Sequence, residues 1–357
     1  MAPVLRVLVV DDSAVVRQGV LMLLERVPGM AVEVASDPLI ARQKMKSHRP
    51  DVILLDLEMP RMDGLTFLRE LMREEEPVPV VVCSGLAGPG SELAVRALQE
   101  GAVEIIAKPM LGVGDFLRES RARLLESLRN AARARARLAR RTPPVKAELE
   151  PPERPTDPLL TVTTDKVVAV GASTGGTEAL RQLLEPMPPD CPGLVIVQHM
   201  PEQFTSAFAK RLNQLCRIEV KEAEQGDAVR QGRALIAPGN RHLRVRRTGG
   251  HYQVEVLDGG RVSGHKPSVD VLFQSVARAA GENAVGVLLT GMGDDGADGL
   301  LVMKQAGAAT IAQDEASCVV FGMPRAAIER GAVDEVLPLG AICEAVRRRA
   351  RQRARAS

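Results

Sequence analysis

Residues 167–176 read VVAVGASTGG, an apolar run that passes directly into a glycine-rich turn with a serine at position 173. A short apolar run bounded by such a turn is typical of a buried strand in a parallel sheet. Three later runs have the same character and end in reactive or turn-forming residues: residues 194–198 before His199, 234–237 before Pro238, and 285–290 before Gly291. Because open α/β folds bind ligands at the carboxyl ends of their strands, we expect these ends to share one edge of a sheet.

A serine and a histidine at this edge favour nucleophilic catalysis. A serine hydroxyl is a weak nucleophile until an imidazole accepts its proton, and a carboxylate is needed to orient the imidazole. Gly171-x-Ser173-x-Gly175 also has the spacing of a nucleophile elbow, in which small neighbours allow a sharp turn from strand to helix. The alternative is a phosphate-binding loop or a plain tight turn, although this stretch has neither G-x-G-x-x-G nor a lysine after its last glycine.

The sequence pattern leaves more than one candidate for the histidine and for the carboxylate that would act with the serine. His199 directly follows a predicted strand, and His242 follows another closely enough to be the second choice. Three aspartates lie in the glycine-rich segment after residue 290: Asp294, Asp295 and Asp298. The residues alone do not choose among them, since a solvated loop would account for all three.

Acidic residues follow two apolar runs in the first part of the chain, Asp11 with Asp12 and then Asp56. Carboxylates that converge at strand ends raise one another's pKa unless a cation lies between them, and Mg²⁺ suits such a cluster. Two further runs end at Ser84 and Lys108, whose hydroxyl and ammonium groups can bind phosphoryl oxygens. The alternative is that the aspartates cap the next helix and the lysine is a solvated turn residue. Compatible groups at several strand ends favour a phosphoryl site.

With these features together, the N-terminal part resembles a response-regulator receiver domain, and the C-terminal part resembles the chemotaxis protein-glutamate methylesterases. The order of receiver, linker and esterase is similar to that family along nearly the whole chain. The resemblance is carried by Val10-Asp11-Asp12-Ser13, residues 55–60 with Asp63-Gly64, Ala107-Lys108-Pro109, residues 171–176, Gln198-His199-Met200, Ala237-Pro238-Gly239, Pro267-Ser268-Val269-Asp270 and residues 289–293. Each mark is weak alone, but their order and spacing are specific.

The resemblance implies roles for the acidic site. Asp56 matches the phosphoacceptor, Ser84 the hydroxyl that senses the phosphoryl group, and Lys108 the lysine that pairs with it. The implied magnesium ligands are Asp11, Asp12, Asp56 and the backbone carbonyl of Glu58. A chemotaxis histidine kinase is the implied phosphodonor.

The resemblance also assigns the second site. Ser173 matches the nucleophile, His199 the base, and Asp295 the acid that orients the base. Thr174 and the backbone around Met292 fall where the family supports the oxyanion and the substrate. Ester hydrolysis by this trio needs no cofactor, whereas phosphorylation of the receiver needs Mg²⁺.

The family's substrate is the γ-glutamyl methyl ester on the helical cytoplasmic stalk of methyl-accepting chemoreceptors, and some members also deamidate glutamine there. The unphosphorylated receiver is expected to cover the cleft, and phosphorylation of Asp56 to expose Ser173. Two positions depart from the family pattern. Ile105 stands where an aromatic residue usually switches on phosphorylation, and Gly85 replaces a small hydroxyl residue after Ser84.

Alternating strands and helices predict two doubly wound α/β domains. The first is expected to be a flavodoxin-like receiver with a parallel five-stranded sheet in the order 2-1-3-4-5. The second is expected to carry an added β-hairpin near residues 243–257. The predicted boundaries are 1–125 for the receiver, 126–162 for a basic helical extension and proline-rich linker, 163–350 for the catalytic domain, and 351–357 for a basic tail.

Composition agrees with an intracellular two-domain enzyme. The 357 residues suffice for two cores, and a net charge of +2 from 47 basic and 45 acidic residues argues against a general attraction to nucleic acid. The five cysteines form no C-x-x-C pair and indicate buried thiols in a reducing compartment. The start lacks the features of a signal peptide, and no run approaches the roughly 20 apolar residues of a membrane span. We therefore expect a soluble, cytoplasmic protein.

Two other functions fit parts of the chain. A phosphorylation-switched adaptor would bind a partner without hydrolysis, but an adaptor need not keep Ser173, His199 and Asp295. A nucleotide-binding enzyme would use the glycine-rich turn at Gly171, and binding of ATP or NAD would reveal it.

Overall fold

The computed structural model describes residues 4–25, 27–59, 62–85, 89–108, 114–138 and 166–351. The chain divides into two compact units, which are described separately. The proline-rich linker expected at 142–158 and all but the first residue of the basic tail lie outside the described residues.

The first unit alternates parallel strands with helices. Its elements are β1 (Leu5–Val10), α1 (Ala14–Leu24), β2 (Met30–Ala35), α2 (Pro38–Ser47), β3 (Val52–Leu55), α3 (Gly64–Leu71), β4 (Val80–Ser84), α4 (Pro89–Gln99), β5 (Glu104–Ala107) and α5 (Gly114–Leu138). The strand order is β2-β1-β3-β4-β5, which confirms the flavodoxin-like prediction. Every residue of β3 is buried, as expected for a central strand with helices on both faces of its sheet.

The starts of α1 and α3 are set by side-chain caps. The Ser13 side chain accepts a hydrogen bond from the Val16 N–H at the start of α1, and Asp63 does the same for Thr66 at the start of α3. Ser13, rather than Asp11 or Asp12, is therefore the N-cap of α1. Both aspartates remain at the end of β1.

The second unit contains a seven-stranded parallel sheet. Its elements are β6 (Val167–Ala172), α6 (Gly176–Leu184), β7 (Gly193–Gln198), α7 (Glu202–Leu215), β8 (Glu219–Glu222), β9 (Ala228–Val229), β10 (Arg233–Ile236), β11 (His242–Thr248), β12 (His251–Leu257), α8 (Val269–Ala280), β13 (Ala284–Leu288), α9 (Ala297–Gln305), β14 (Ala309–Gln313), α10 (Met323–Glu329), β15 (Glu335–Leu337) and α11 (Leu339–Arg351). The order β15-β14-β13-β6-β7-β10-β8 confirms a doubly wound sheet. The chain leaves β6 toward β7 on one side, while β13 lies on the other, so the switch point is at β6.

The predicted hairpin is present as β11 and β12, paired antiparallel from His242 opposite Leu257 to Thr248 opposite His251. It does not extend the parallel sheet. The short strand β9 joins it instead in a separate three-stranded sheet with the order β11-β12-β9. Helix α8 packs against β11, and the Val245 N–H donates to Ser275 Oγ at 2.9 Å.

No helix in the part of the chain that the structure describes is long and apolar enough to cross a membrane. All five cysteines are free thiols with buried side chains. Burial raises the pKa of the Cys191 thiol to about 12. The Cys191 thiol is therefore not poised as a nucleophile.

Candidate functional sites

Hydrogen bonds between strand ends bring the predicted serine and histidine to adjacent positions. Ala172 pairs with Gln198 at the ends of β6 and β7, and the His199 N–H donates to the Ala172 carbonyl at 3.0 Å. On the other side, the Ser173 N–H donates to the Thr290 carbonyl at 3.0 Å. Ser173 therefore lies between the strand end that carries His199 and the loop that follows β13.

The turn after Ser173 has the geometry of a nucleophile elbow. The Gly176 N–H donates to the Ser173 carbonyl at 2.7 Å, and Gln198 Nε2 donates to the same oxygen at 2.9 Å. Gly175 has φ +79°, and a Cβ there would lie 2.5 Å from Val319, so both conformation and space require glycine. The chain thus turns sharply from β6 into α6 and leaves Ser173 half-buried at the sheet edge.

His199 and Asp295 are directly hydrogen-bonded. His199 Nε2 lies 2.8 Å from Asp295 Oδ2, and the two side chains are 9% and 0% exposed. An ionised carboxylate can only accept, so Nε2 carries the proton of the neutral ring. Nδ1 is buried and has no hydrogen-bond partner among the described residues. This nitrogen is left to accept a proton.

The carboxylate of Asp295 is held at the N-terminus of α8. It accepts hydrogen bonds from Ser268 Oγ at 2.8 Å, the Val269 N–H at 2.8 Å and the Asp270 N–H at 3.1 Å. Burial acts to raise the pKa of Asp295, but the bond to His199 and the backbone donors outweigh it and hold the pKa below its usual value. The positive end of the helix also favours a negative charge there. Asp295 is therefore an anion that orients His199.

The neighbouring aspartates have different surroundings. Asp294 and Asp298 are exposed, and both pair with Arg330, at 2.6 and 3.1 Å. Of the three aspartates in the glycine-rich segment after residue 290, Asp295 is the one in contact with His199. The structure makes the choice that the sequence pattern left open.

The residues expected to support the oxyanion lie on both sides of Ser173. Thr174 is buried, and its carbonyl accepts a hydrogen bond from Thr290 Oγ1 at 2.9 Å. Gly291 lies so close that a Cβ there would be 2.7 Å from the Cβ of Ser173. The backbone leading into Met292 therefore passes directly against the serine.

Three contacts of this site were missed by sequence reasoning. Ser268 both caps α8 and donates to Asp295, a role that the sequence did not predict. His265 stacks on His199 with ring centroids 3.8 Å apart. His242 donates from Nε2 to the Gly260 carbonyl at 2.8 Å, and its Nδ1 accepts a bond from the Ser268 N–H at 3.3 Å. His242, the second candidate for the base, therefore supports a loop. The proximity of His265 to the Pro267-Ser268 motif was the available signal.

Asp270 is a second buried carboxylate behind this site. Its Oδ1 accepts the Gly299 N–H at 2.7 Å, and its Oδ2 accepts Ser263 Oγ–H at 3.0 Å. Burial raises the pKa of Asp270 to about 6. The bond from Gly299 lowers this pKa, and the negative charge of Asp295 raises it further. Asp270 therefore connects α8 to α9 and to the loop that contains Ser263.

The N-terminal unit has an acidic cluster at the carboxyl edge of its sheet. Asp11, Asp12 and Asp56 each place a carboxylate oxygen within 4.8 Å of the others. Lys108 Nζ lies 2.7 Å from Asp56 Oδ2 and 3.2 Å from Asp11 Oδ2. Burial and the charge of Asp56 raise the pKa of Asp11, partly offset by Lys108. Burial acts to lower the pKa of Lys108, but its bonds to both carboxylates outweigh this and raise it.

This donor set fits a hard divalent cation, because it consists of carboxylate oxygens and because a cation would relieve the repulsion felt by Asp11. Glu58 lies on the loop after Asp56, and its N–H donates to Asp56 Oδ1 at 3.3 Å. Ser84 is buried at the end of β4, and its carbonyl accepts the Lys108 N–H at 2.9 Å. Ile105 is buried within β5.

An acidic cluster with a lysine at the edge of a 2-1-3-4-5 sheet is typical of a phosphate-receiving regulatory domain. The arrangement of Ser173, His199 and Asp295 at the edge of the second sheet is typical of a serine hydrolase. The chain belongs to the CheB methylesterase family. The family model described as CheB methylesterase matches residues 168–346, and the one described as response regulator receiver domain matches residues 7–114.

Nearly the whole chain is similar to curated relatives. Protein-glutamate methylesterase/protein-glutamine glutaminase 5 of Anaeromyxobacter dehalogenans (strain 2CP-C) is 60% identical over 94% of each chain. Protein-glutamate methylesterase/protein-glutamine glutaminase 3 of Geobacter metallireducens is 56% identical over 96% of this chain and 98% of the relative. The crystal structure of the Thermotoga maritima CheB methylesterase catalytic domain is 38% identical, with a TM-score of 0.50, and covers 52% of this chain and 98% of that one.

Proposed function

We propose that this chain is a phosphorylation-activated protein-glutamate methylesterase, which hydrolyses glutamyl methyl esters on methyl-accepting chemoreceptors to glutamate and methanol. The observation that carries the proposal is the 2.8 Å hydrogen bond between His199 and the buried Asp295, at the sheet edge where Ser173 follows β6. The names of the relatives at 60% and 56% identity support deamidation of receptor glutamines as a second reaction of the same site.

In the first half of the reaction, Ser173 Oγ attacks the γ-carbonyl carbon while His199 Nδ1 takes its proton. Asp295 stabilises the imidazolium through Nε2 and keeps the ring in the required tautomer. The backbone near Met292, together with Thr174, stabilises the negative oxygen of the tetrahedral intermediate. The intermediate collapses as the methoxide takes the proton from Nδ1, so methanol leaves and an acyl-enzyme remains.

In the second half, His199 Nδ1 takes a proton from water, and the resulting hydroxide attacks the acyl carbon. The proton then returns to Ser173 Oγ as the ester bond breaks, which releases the glutamate side chain. Deamidation follows the same route with ammonia as the leaving group. Each turnover at an ester adds one negative charge to a receptor helix.

Control of this activity is assigned to the N-terminal unit. Asp56 accepts the phosphoryl group from a chemotaxis histidine kinase, and Lys108 and Ser84 bind its oxygens. The residues that would hold Mg²⁺ are Asp11, Asp12, Asp56 and the backbone carbonyl of Glu58. Bound there, Mg²⁺ would neutralise negative charge during phosphoryl transfer. Five buried thiols suit the reducing cytoplasm, where the methylated stalks of receptors also lie.

The unit boundaries are proposed as 1–125 for the receiver, 126–162 for the extension and linker, and 163–350 for the catalytic domain. Helix α5 ends at Leu138 and so includes the first part of the proposed extension. The family matches at 7–114 and 168–346 fall within the two proposed domains.

Membranes carrying chemoreceptors with radiolabelled methyl esters test the proposed function. The full-length chain with a phosphodonor is expected to release radioactive methanol, and membranes without the protein are not. Ammonia release from receptors with glutamine at the same positions measures deamidation. Absence of methanol release by both the full-length chain and a fragment of residues 161–357 would contradict the esterase and favour a phosphorylation-switched adaptor.

Asp56→Asn is expected to abolish the response to phosphodonor. The wild-type rate should rise roughly tenfold with phosphodonor, a usual size for coupling between two sites, whereas the variant should keep its basal rate. Asp51→Asn is a matched control because Asp51 precedes β3 and Asp56 follows it. A phosphodonor response that survives in Asp56→Asn would contradict the assignment of the phosphoacceptor.

Deletion of residues 1–160 is expected to raise the basal rate of methanol release, because the unphosphorylated receiver is expected to cover the cleft.

A further inference from the structure

A second imidazole lies against the base. The rings of His265 and His199 are stacked with centroids 3.8 Å apart and an interplanar angle of 7°. The ring of His199 is therefore bounded at one edge by Asp295, through Nε2, and on one face by His265. None of the catalytic roles assigned above uses this second histidine.

His265 is presented by the loop between β12 and α8, and that loop is fixed on both sides. The Gly260 carbonyl accepts the bond from His242 at the start of β11, and Ser263 Oγ donates to Asp270 on α8 at 3.0 Å. Within the loop, Val262 and His265 exchange two backbone hydrogen bonds of 3.0 and 2.9 Å. The loop that carries His265 is thus tied to two neighbouring elements.

Ser263 adds a second sign that the loop conformation is imposed. Its φ of +51° lies in the left-handed region, which a residue with a side chain rarely adopts. The bond from its hydroxyl to Asp270 anchors the residue in this conformation. Such conformations persist where the surrounding structure holds them, and they cluster at functional sites.

The stack constrains a motion of His199 that the bond to Asp295 leaves open. The ring is attached to the chain through Cβ and tethered at Nε2, so it can still rock about the line that joins these two points. Nδ1 lies off this line and would move with the rocking. A flat group packed at 3.8 Å against one face blocks this movement on that side.

We propose that His265 is a positioning residue, which holds the plane of the His199 ring so that Nδ1 can take the proton of the Ser173 hydroxyl in the proposed reaction. This inference rests on the proposed esterase function. The contribution comes from the flat face of the ring, because the two rings meet in parallel. A phenyl group should therefore replace it, and a methyl group should not.

The test uses the full-length protein with phosphodonor and measures kcat and KM for methanol release from labelled receptors. His265→Ala is expected to lower kcat by about tenfold to a hundredfold with KM unchanged, the scale expected from a misplaced catalytic group. His265→Phe is expected to remain within about threefold of the wild-type kcat, since a well-aligned group keeps its effective concentration. His251→Ala, the same change at an exposed position of β12, is expected to leave both constants unchanged.

An unchanged kcat in His265→Ala would overturn the inference, and so would a loss in His265→Phe as large as that in His265→Ala. Either result would leave the esterase function standing, because wild-type activity is measured in the same experiment. Absence of methanol release by the wild type would overturn both. If His265→Ala does not fold, as judged by thermal unfolding, His265→Phe decides alone, since a tenfold loss in that variant contradicts a role for the flat ring.

Discussion

Ser173→Ala is expected to reduce methanol release to the background rate. The acyl-enzyme cannot form without the hydroxyl, and loss of the nucleophile in a comparable trio lowers kcat by about 10⁶-fold. The backbone contacts that shape the turn are made by the N–H and carbonyl of Ser173, and alanine keeps them. The variant should therefore fold and still bind methylated receptors.

Ser206→Ala on α7 is the matched control, because it removes a hydroxyl of the same kind from a half-buried position. It should release methanol at the wild-type rate. Comparable thermal unfolding of both variants would separate lost chemistry from lost structure. A Ser173→Ala variant that retains even a hundredth of the wild-type kcat would show that another group attacks the ester.

The two parallel sheets were predictable because a strand that is covered on both faces has a continuous apolar sequence. Residues 52–55 and 167–172 are such runs, and both form central strands whose side chains are buried. The residue that follows each run must lie at the carboxyl edge of the sheet. For this reason the locations of Asp56 and Ser173 followed from local pattern alone.

The choice among the aspartates of the second site did not follow from local pattern. Asp295 differs from Asp294 in its contact with the N-terminus of α8, whose cap, Ser268, is 27 residues earlier in the chain. No periodic pattern of residues along the sequence indicates that contact. The resemblance to the methylesterases selected Asp295, and the three donors from α8 give the physical reason.

The sheet that contains the hairpin was also predictable only in part. Alternating residues on either side of Gly249 and Gly250 predicted two antiparallel strands, which are β11 and β12. The third strand of that sheet, β9, has only two residues, too few for a periodic signal. The stack of His265 on His199 was equally hidden, since it depends on the path of a loop fixed by tertiary hydrogen bonds.

Asp295→Asn is expected to lower kcat by about 10⁴-fold, the loss seen when an orienting aspartate becomes an amide and the histidine takes the wrong tautomer. Each oxygen of Asp295 accepts two hydrogen bonds, Oδ1 from Ser268 and Asp270 and Oδ2 from His199 and Val269. In asparagine one of these oxygens becomes an NH₂ group that faces donors. If that group faces His199, Nε2 must accept and Nδ1 must carry the proton, so Nδ1 cannot take the proton of the serine.

If the NH₂ group instead faces the other pair, the Asp270 N–H loses its acceptor and the imidazolium still lacks a counter-charge. Both orientations therefore lower kcat. Asp294→Asn is the matched control, because Asp294 is exposed and its ion pair with Arg330 is of the kind that contributes little. It should keep the wild-type kcat. Equal rates for the two variants would contradict the role of Asp295, and a large loss in Asp294→Asn alone would place the orienting carboxylate one residue earlier.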